Sequence, residues 1–224
     1  MIIHLPTTLS DTEAQAYAER NKAFWFREDE QIVVVNGSKL KYANLSADDQ
    51  KLAIAHWDFP NDMHLSNKDY RPLRRIELFN GVVFGGDKRR NVLMTGPCSI
   101  ESEAQIRQVA ELCVETGVEV LRAGAYKPRT APYSFQGMGL EGLKLLAKMR
   151  EEYGLAIITE VRDASQVEEV IEYADIVQVG AKAMYDQGIL RACAKTTKPV
   201  MIKRGFGSTL QETAQAAEFV LSGG

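Results

Sequence analysis

From residue 91 onward, short apolar runs alternate with longer segments of helical periodicity. The runs fall at 92–94, 118–121, 156–159, 176–179 and 200–202, and continuous apolar stretches of this length suit parallel strands buried on both faces. Between and after them the pattern predicts helices over about 102–116, 139–153, 163–172, 184–195 and 209–222. Ser102 with Gln105 and Thr209 with Glu212 have the spacing of a capping box, and Asp163 with Gln166 is a looser version. Five consecutive βα units result. Such a repeat builds either a doubly wound sheet or a (β/α)8 TIM barrel. Polar residues recur just after the strands, where barrel enzymes assemble their sites, and this favours the barrel.

The first ninety residues have a different rhythm. Segments 2–5, 23–27 and 31–35 read as strands, 10–20 as a helix opened by a Ser/Asp cap, and Asn36-Gly37 as a turn. A second helix is expected over 46–57. The polar, Pro-containing stretch 60–72 reads as a linker, and 82–84 as a short lead-in strand before Gly85-Gly86. The expected organisation is a small α+β, ferredoxin-like domain over 1–75, a linker with its lead-in strand over 76–90, and a partial barrel over 91–224.

Composition narrows the function. With 224 residues, 45% of them apolar and 25% charged, the chain can bury a sizeable core. A net charge of -3 gives no general basic excess, so the sequence argues against a nucleic-acid or anionic-membrane binder. The apolar run at 1–5 is too short for a signal-peptide core, no stretch approaches the ~18 apolar residues of a membrane span, and a cytoplasmic location is expected. Three widely spaced cysteines, Cys98, Cys113 and Cys193, fit neither a disulfide framework nor a metal knuckle. Cys113 and Cys193 fall inside helix patterns and read as packing residues.

Cys98 is different, because Gly96-Pro97-Cys98-Ser99 follows the first barrel strand. The second strand leads into Arg122, Lys127, Pro128, Arg129 and Thr130, a cationic loop whose shape Gly124 and Pro128 fix. An unpaired cation at the end of a buried strand is costly unless an anion meets it, and Arg offers phosphate a planar fork where Lys offers a point charge. Glu160 follows the third strand, 178–182 with Ala181 and Lys182 the fourth, and Lys203-Arg204-Gly205 the fifth. A barrel gathers these ends at one mouth, giving a cationic pocket for a small substrate with several negative charges.

GPCSIES at 96–102, LRAGAYKPRTAPYSFQG at 121–137, TEV at 159–161, QVGA at 178–181 and KRG at 203–205 together closely resemble the metal-dependent type I synthases of 3-deoxy-D-arabino-heptulosonate 7-phosphate (DAHP). The region before residue 75 resembles only in general shape the ferredoxin-like domain of their β subclass. The resemblance implies condensation of phosphoenolpyruvate with erythrose 4-phosphate, the first step of the shikimate pathway of aromatic amino acid biosynthesis. It implies that Cys98 is a ligand to a divalent metal, with manganese, iron, zinc and cobalt all compatible. Arg122 and Lys127 would hold the phosphoenolpyruvate carboxylate and phosphate, with Lys203 and the backbone near Ala181 completing that pocket. Arg129 and Thr130 would grip the erythrose 4-phosphate phosphate. Lys127, an amine among other cations, is the candidate for proton handling.

Two departures stand out. Lys182 occupies a position where the resembled enzymes usually carry arginine, and Phe206-Gly207 varies from their usual loop. The segment from 91 on also falls short of the ~250 residues of a complete barrel. The family draws a further arginine and three more metal ligands (His, Glu and Asp) from strands six to eight, so the chain as given is expected to be inactive alone. His4, His56 and His64 all precede the first barrel strand and read as surface or packing residues. Alternatives are a 3-deoxy-D-manno-octulosonate 8-phosphate synthase, whose substrate loop matches KPRT less well, and a non-catalytic remnant that senses an aromatic amino acid through its N-terminal domain. A homo-oligomer is expected of the complete protein.

Overall fold

The computed structural model describes residues 1–28, 31–87, 90–127, 129 and 131–223. Pro128 and Thr130 of the expected anion loop lie outside the described residues. The chain divides into two compact units, Met1–Pro72 together with the segment from Thr209 onward, and Leu73–Ser208.

The first unit begins β1 (Ile2–Leu5), α1 (Asp11–Arg20), β2 (Phe24–Glu28), β3 (Gln31–Val35), α2 (Ala47–Leu52) and β4 (Ala55–Trp57). Its antiparallel sheet has the order β2-β3-β1-β4, the split βαβ arrangement of ferredoxin-like domains. Alternation along β1 and β3 explains the two cores. Ile3, Leu5, Ile32 and Val34 pack with Ala14 and Tyr17 of α1. Ile2, Val33 and Val35 face the opposite way, onto Phe59, Leu65 and Tyr70. Each such fully buried side chain contributes roughly 1.5–3 kcal/mol. Ser10 and Glu13 form a reciprocal capping box at the start of α1. Asp49, buried on α2, accepts hydrogen bonds from Arg20 Nε and Nη2 at 2.8 and 2.6 Å and from Asn21 at 3.2 Å.

The helix expected over 46–57 is shorter, and its second half is β4. The chain leaves the helix at Ala53, whose backbone is extended, and residues 55–57 pair with β1, Ile2 opposite Trp57. That pairing satisfies backbone groups on β1 that would otherwise be unpaired, and it sets the Trp57 ring against His4 and Tyr70. The histidines are packing residues here. His4 Nε2 lies 2.8 Å from the Tyr70 hydroxyl, His56 stacks on Tyr42 and His64 on Phe59.

The second unit opens with a hairpin, β5 (Arg75–Glu77) and β6 (Val83–Gly85), where the sequence pattern showed only a lead-in strand. Then follow β7 (Met94–Thr95), α3 (Glu103–Glu115), β8 (Val120–Arg122), α4 (Leu140–Tyr153), β9 (Ala156–Val161), α5 (Val167–Tyr173), β10 (Ile176–Val179), α6 (Gln187–Cys193) and β11 (Val200–Ile202). The five strands are parallel and lie in chain order, β7-β8-β9-β10-β11. A doubly wound sheet reverses its strand order at a switch point, whereas a barrel adds strands in sequence, so this topology is of the barrel type.

Pleating sorts the side chains. Val120, Ala156, Ile158, Ile176, Met94 and Met201 share one face and pack around Leu78 and Val82 of the hairpin turn. The turn is tied to the N-terminal end of β8 by the Asn80 amide, which donates to the Glu119 carbonyl at 3.0 Å. The hairpin therefore covers the strand starts, leaving the strand ends for a site. Helix residues Ile106, Ala110, Cys113, Leu143, Leu146, Met149, Val170 and Cys193 are buried. Burial pushes the Cys113 thiol up and the Cys193 thiol to about 11, as expected of unreactive packing residues.

The last helix, α7 (Leu210–Leu221), opens with the expected Thr209–Glu212 capping box. The sequence pattern assigns it to the fifth βα unit, but in the structure it groups with the first unit. There its Glu218 accepts from the Leu65 and Ser66 backbone N–H groups at 3.1 and 2.7 Å, and Leu221 packs against the cluster around Ile2 and Val33.

Candidate functional site

Carried beyond their apolar starts, the inward rows of the five strands turn polar. On β9 the row runs Ala156, Ile158, Glu160, Arg162, and beside it Val120 leads to Arg122 and Gly124. Met94 leads to Gly96 and Cys98, Ile176 to Gln178, Gly180 and Lys182, and Met201 to Lys203 and Gly205. The same period of two that fills the core thus delivers the polar residues to one end. There they surround a cavity of about 350 Å³ lined by Cys98, Arg122, Gly124, Tyr126, Lys127, Glu160, Arg162, Ala181, Lys182, Lys203, Gly205 and Phe206. Of the residues expected from sequence, Cys98, Arg122, Lys127, Glu160, Ala181, Lys182 and Lys203 all line it.

Arg129 does not. Its side chain is exposed and its Nε donates to the Phe135 carbonyl at 3.2 Å, within its own loop. That loop is closed by an antiparallel bridge between Tyr126 and Gly137, with the Lys127 N–H donating to Gln136 at 2.8 Å. Gly137 has φ +99°, and a Cβ there would lie 2.1 Å from the Ala125 carbonyl oxygen, so the close crossing requires glycine. Tyr126 reaches out of the loop to hydrogen-bond the Glu169 carboxylate of α5. Burial and that carboxylate raise its phenol to about 12.

The Lys127 ammonium donates to the Cys98 carbonyl at 2.7 Å and to Cys98 Sγ at 2.9 Å. That contact, with the nearby charges of Lys127 and Arg122, holds the Cys98 thiol below its usual range. Cys98 is exposed, in contrast to the other two cysteines. Arg122 donates to the Pro97 carbonyl at 3.4 Å.

Glu160 is anchored on both oxygens, by Arg162 Nη1 at 3.0 Å and by the Gln178 amide. Its carboxylate lies over Gly180, where a Cβ would come within 2.3 Å of Oε1. Arg162 and Tyr126 are cavity residues that sequence reasoning missed. For Arg162 a signal existed: it continues, two residues on, the inward row that contains Glu160.

Five cations face one carboxylate in this cavity, and that carboxylate is already paired. The arrangement suits a small ligand with more than one negative charge. It does not by itself suit a metal ion. Cys98 offers one sulfur, already hydrogen-bonded to an ammonium, and among the described residues no group of three or more His, Cys, Asp or Glu side chains could hold an ion.

Parallel strands in chain order, with polar inward rows converging at their C-terminal ends, define a chain of βα-barrel enzyme architecture. Its sequence is more specific than its shape: the profile of the DAHP synthetase I family matches residues 62–224, and the chain belongs to that family. It is 42% identical over 132 residues to a phospho-2-dehydro-3-deoxyheptonate aldolase of Thermotoga maritima, covering 59% of this chain and 39% of the relative. It is 40% identical over 131 residues to a 2-dehydro-3-deoxyphosphooctonate aldolase of Fusobacterium nucleatum, covering 55% of this chain and 47% of the relative. The crystal structure of a Thermotoga maritima DAHP synthase superposes with a TM-score of 0.68 at 27% identity, over 99% of this chain and 66% of that one. The chain thus spans less than half the length of these two curated relatives. The family is generally metal-dependent.

Proposed function

We propose that this chain carries the phosphoenolpyruvate-binding part of a DAHP synthase, which joins phosphoenolpyruvate to erythrose 4-phosphate. The single observation that supports this most is the convergence of Arg122, Lys127, Lys182 and Lys203 on one cavity at the strand ends. Arg122 and Lys127 hold the carboxylate and phosphate of phosphoenolpyruvate, with Lys203 and the backbone at Ala181 closing the pocket around them. Paired charges fix the enol double bond in one orientation, so that its carbon 3 attacks the aldehyde carbon of the second substrate. Water then adds at carbon 2, and the C–O bond to phosphate breaks, releasing inorganic phosphate.

Arg129, with Thr130, grips the phosphate of erythrose 4-phosphate once Arg129 turns from the Phe135 carbonyl. Lys127, beside both the cavity and Cys98, is the proton-handling group. Cys98 would contribute one donor to the divalent ion on which the family generally depends, and that ion would supply Lewis-acid polarisation of the aldehyde. The protein works in the cytoplasm as a homo-oligomer, and its ferredoxin-like unit is regulatory, responding to an aromatic amino acid. A second reading draws on the Fusobacterium relative, whose name marks an eight-carbon sugar phosphate. Assaying erythrose 4-phosphate and a five-carbon sugar phosphate in parallel separates the two.

Calorimetric titration with phosphoenolpyruvate tests the core of the proposal. Loss of one charge-assisted contact costs ~1.5–3 kcal/mol, so Arg122→Ala and Lys127→Ala should each weaken binding at least about tenfold. Unchanged affinity in both variants overturns it.

A further inference from the structure

The cavity contains one cation that neither the motifs nor the resemblance assigned. Arg162 lies just beyond β9, its backbone N–H donating to Gln166 Oε1 at 3.1 Å and fixing the strand end. Its side chain is 20% exposed, whereas Lys182 and Lys203 are open to solvent. The guanidinium is therefore the more firmly seated of the cations on this side of the cavity.

Its hydrogen bonding is incomplete. A guanidinium carries five N–H donors, and Arg162 uses Nη1 on Glu160 Oε1 at 3.0 Å. A residue whose purpose was to neutralise Glu160 would engage both carboxylate oxygens in a fork-to-fork pair. Here the second oxygen is taken by the Gln178 amide. Arg162 Nε is meanwhile buried without any hydrogen-bond partner among the described residues. A buried unsatisfied donor is a standing penalty that a folded protein rarely retains without use. The Nε–Nη2 edge is also the side of a guanidinium that takes two oxygens of one carboxylate or phosphate.

We propose that Arg162 is a substrate-binding residue of this cavity, turning its unpartnered Nε–Nη2 edge onto an anionic group of the ligand, phosphate or carboxylate, while Glu160, itself held by Gln178, keeps Nη1 anchored. The proposal rests on the phosphoenolpyruvate reading above and adds a fork that Lys182, a point charge, does not provide.

Calorimetry with phosphoenolpyruvate and, separately, with inorganic phosphate tests it on the whole chain. Arg162→Met should bind phosphoenolpyruvate at least about tenfold more weakly, and Arg162→Lys should recover only part of the loss, because charge returns without the fork. Adding Lys182→Arg to Arg162→Met places a new fork in the same cavity and should restore affinity. An equal loss for inorganic phosphate assigns the contact to the phosphate group, and a loss confined to phosphoenolpyruvate assigns it to the carboxylate. Either pattern supports the proposal. Full affinity in Arg162→Met, beside a clear loss in Arg122→Ala, overturns the assignment of Arg162 alone. Restoration of Arg162→Met by Glu160→Gln would also overturn it, by showing that the arginine only cancels the carboxylate. Absence of phosphoenolpyruvate binding by the unmodified chain overturns both readings. Circular dichroism monitors folding throughout, and if Arg162→Met unfolds, Arg162→Gln is read by the same criteria.

Discussion

The Lys127 ammonium sits 2.9 Å from the Cys98 sulfur, joining the loop after β8 to the loop after β7 through a charge-assisted contact. A thiolate is stabilised by such a neighbour and a thiol is not, so the contact favours the reactive form.

Alkylation reads this directly. In metal-free chain, iodoacetamide should modify Cys98 at neutral pH well before the buried Cys113 and Cys193. Lys127→Met should move the pH–rate profile of Cys98 to higher pH, because the thiolate loses its donor. Mass spectrometry of the labelled peptide is the measurement, and an unshifted profile would show that Lys127 does not govern the thiol.

Asp49 makes stability depend on pH. Burial pushes its carboxyl up, but hydrogen bonds from Arg20, Ser46 and Asn21 outweigh burial and hold it below the usual carboxylate range. A group depressed in the folded state stabilises above its unfolded pKa of about 3.9, and that contribution disappears as pH falls through the folded value. Asp49→Asn should therefore lose about 1–2 kcal/mol at neutral pH, with the difference from the parent shrinking toward pH ~2. Urea titrations across that range would expose a constant difference, which contradicts the account.

At Gly137 the expectation is steric. A methyl 2.1 Å from a backbone carbonyl, at positive φ, leaves Gly137→Ala no relief except opening the Tyr126–Gly137 bridge. Destabilisation of at least about 2 kcal/mol should follow, together with faster hydrogen exchange at the Lys127 amide. Parent-like protection of that amide would show that the bridge does not hold the loop.

Leu78 tests whether the hairpin is part of the barrel core or a passive connector. It is 6% exposed and clusters with Val120, Ile158 and Ile176. Leu78→Ala should cost about 2–4 kcal/mol by thermal or urea unfolding. A loss below ~1 kcal/mol would return the segment to the linker class.

Where the sequence spoke clearly, one physical signal dominated. The barrel strands were legible because continuous apolar runs such as Ile176–Val179 are buried on both faces, and α1 and α7 because their capping boxes are local. β4 is not legible as a strand because 53–57 continues the composition of the helix before it, and only pairing with β1 makes it one. β5 is not legible because it is only three residues long, too short for a pattern to register, and all three of its residues are exposed. In the site, Cys98, Arg122, Lys127, Glu160, Lys182 and Lys203 were legible as residues following strands. Arg162 lies outside the TEV motif, and only the pleat of β9, which alternates faces with a period of two, places it on the same row as Glu160. Arg129 was assigned from its motif, but its present contact depends on the carbonyl of Phe135, which no local pattern reveals.

Each strand of the parallel sheet after β7 pairs with the strand that precedes it in the chain, and the hairpin that packs on their inner face comes before them all. Each addition therefore closes a loop of a single βα unit, and the entropy lost at each step stays small and nearly constant. The order of pairing is also the order of synthesis, so the sheet can accrete strand by strand as the polypeptide leaves the ribosome, on a hydrophobic seat already in place when β7 arrives.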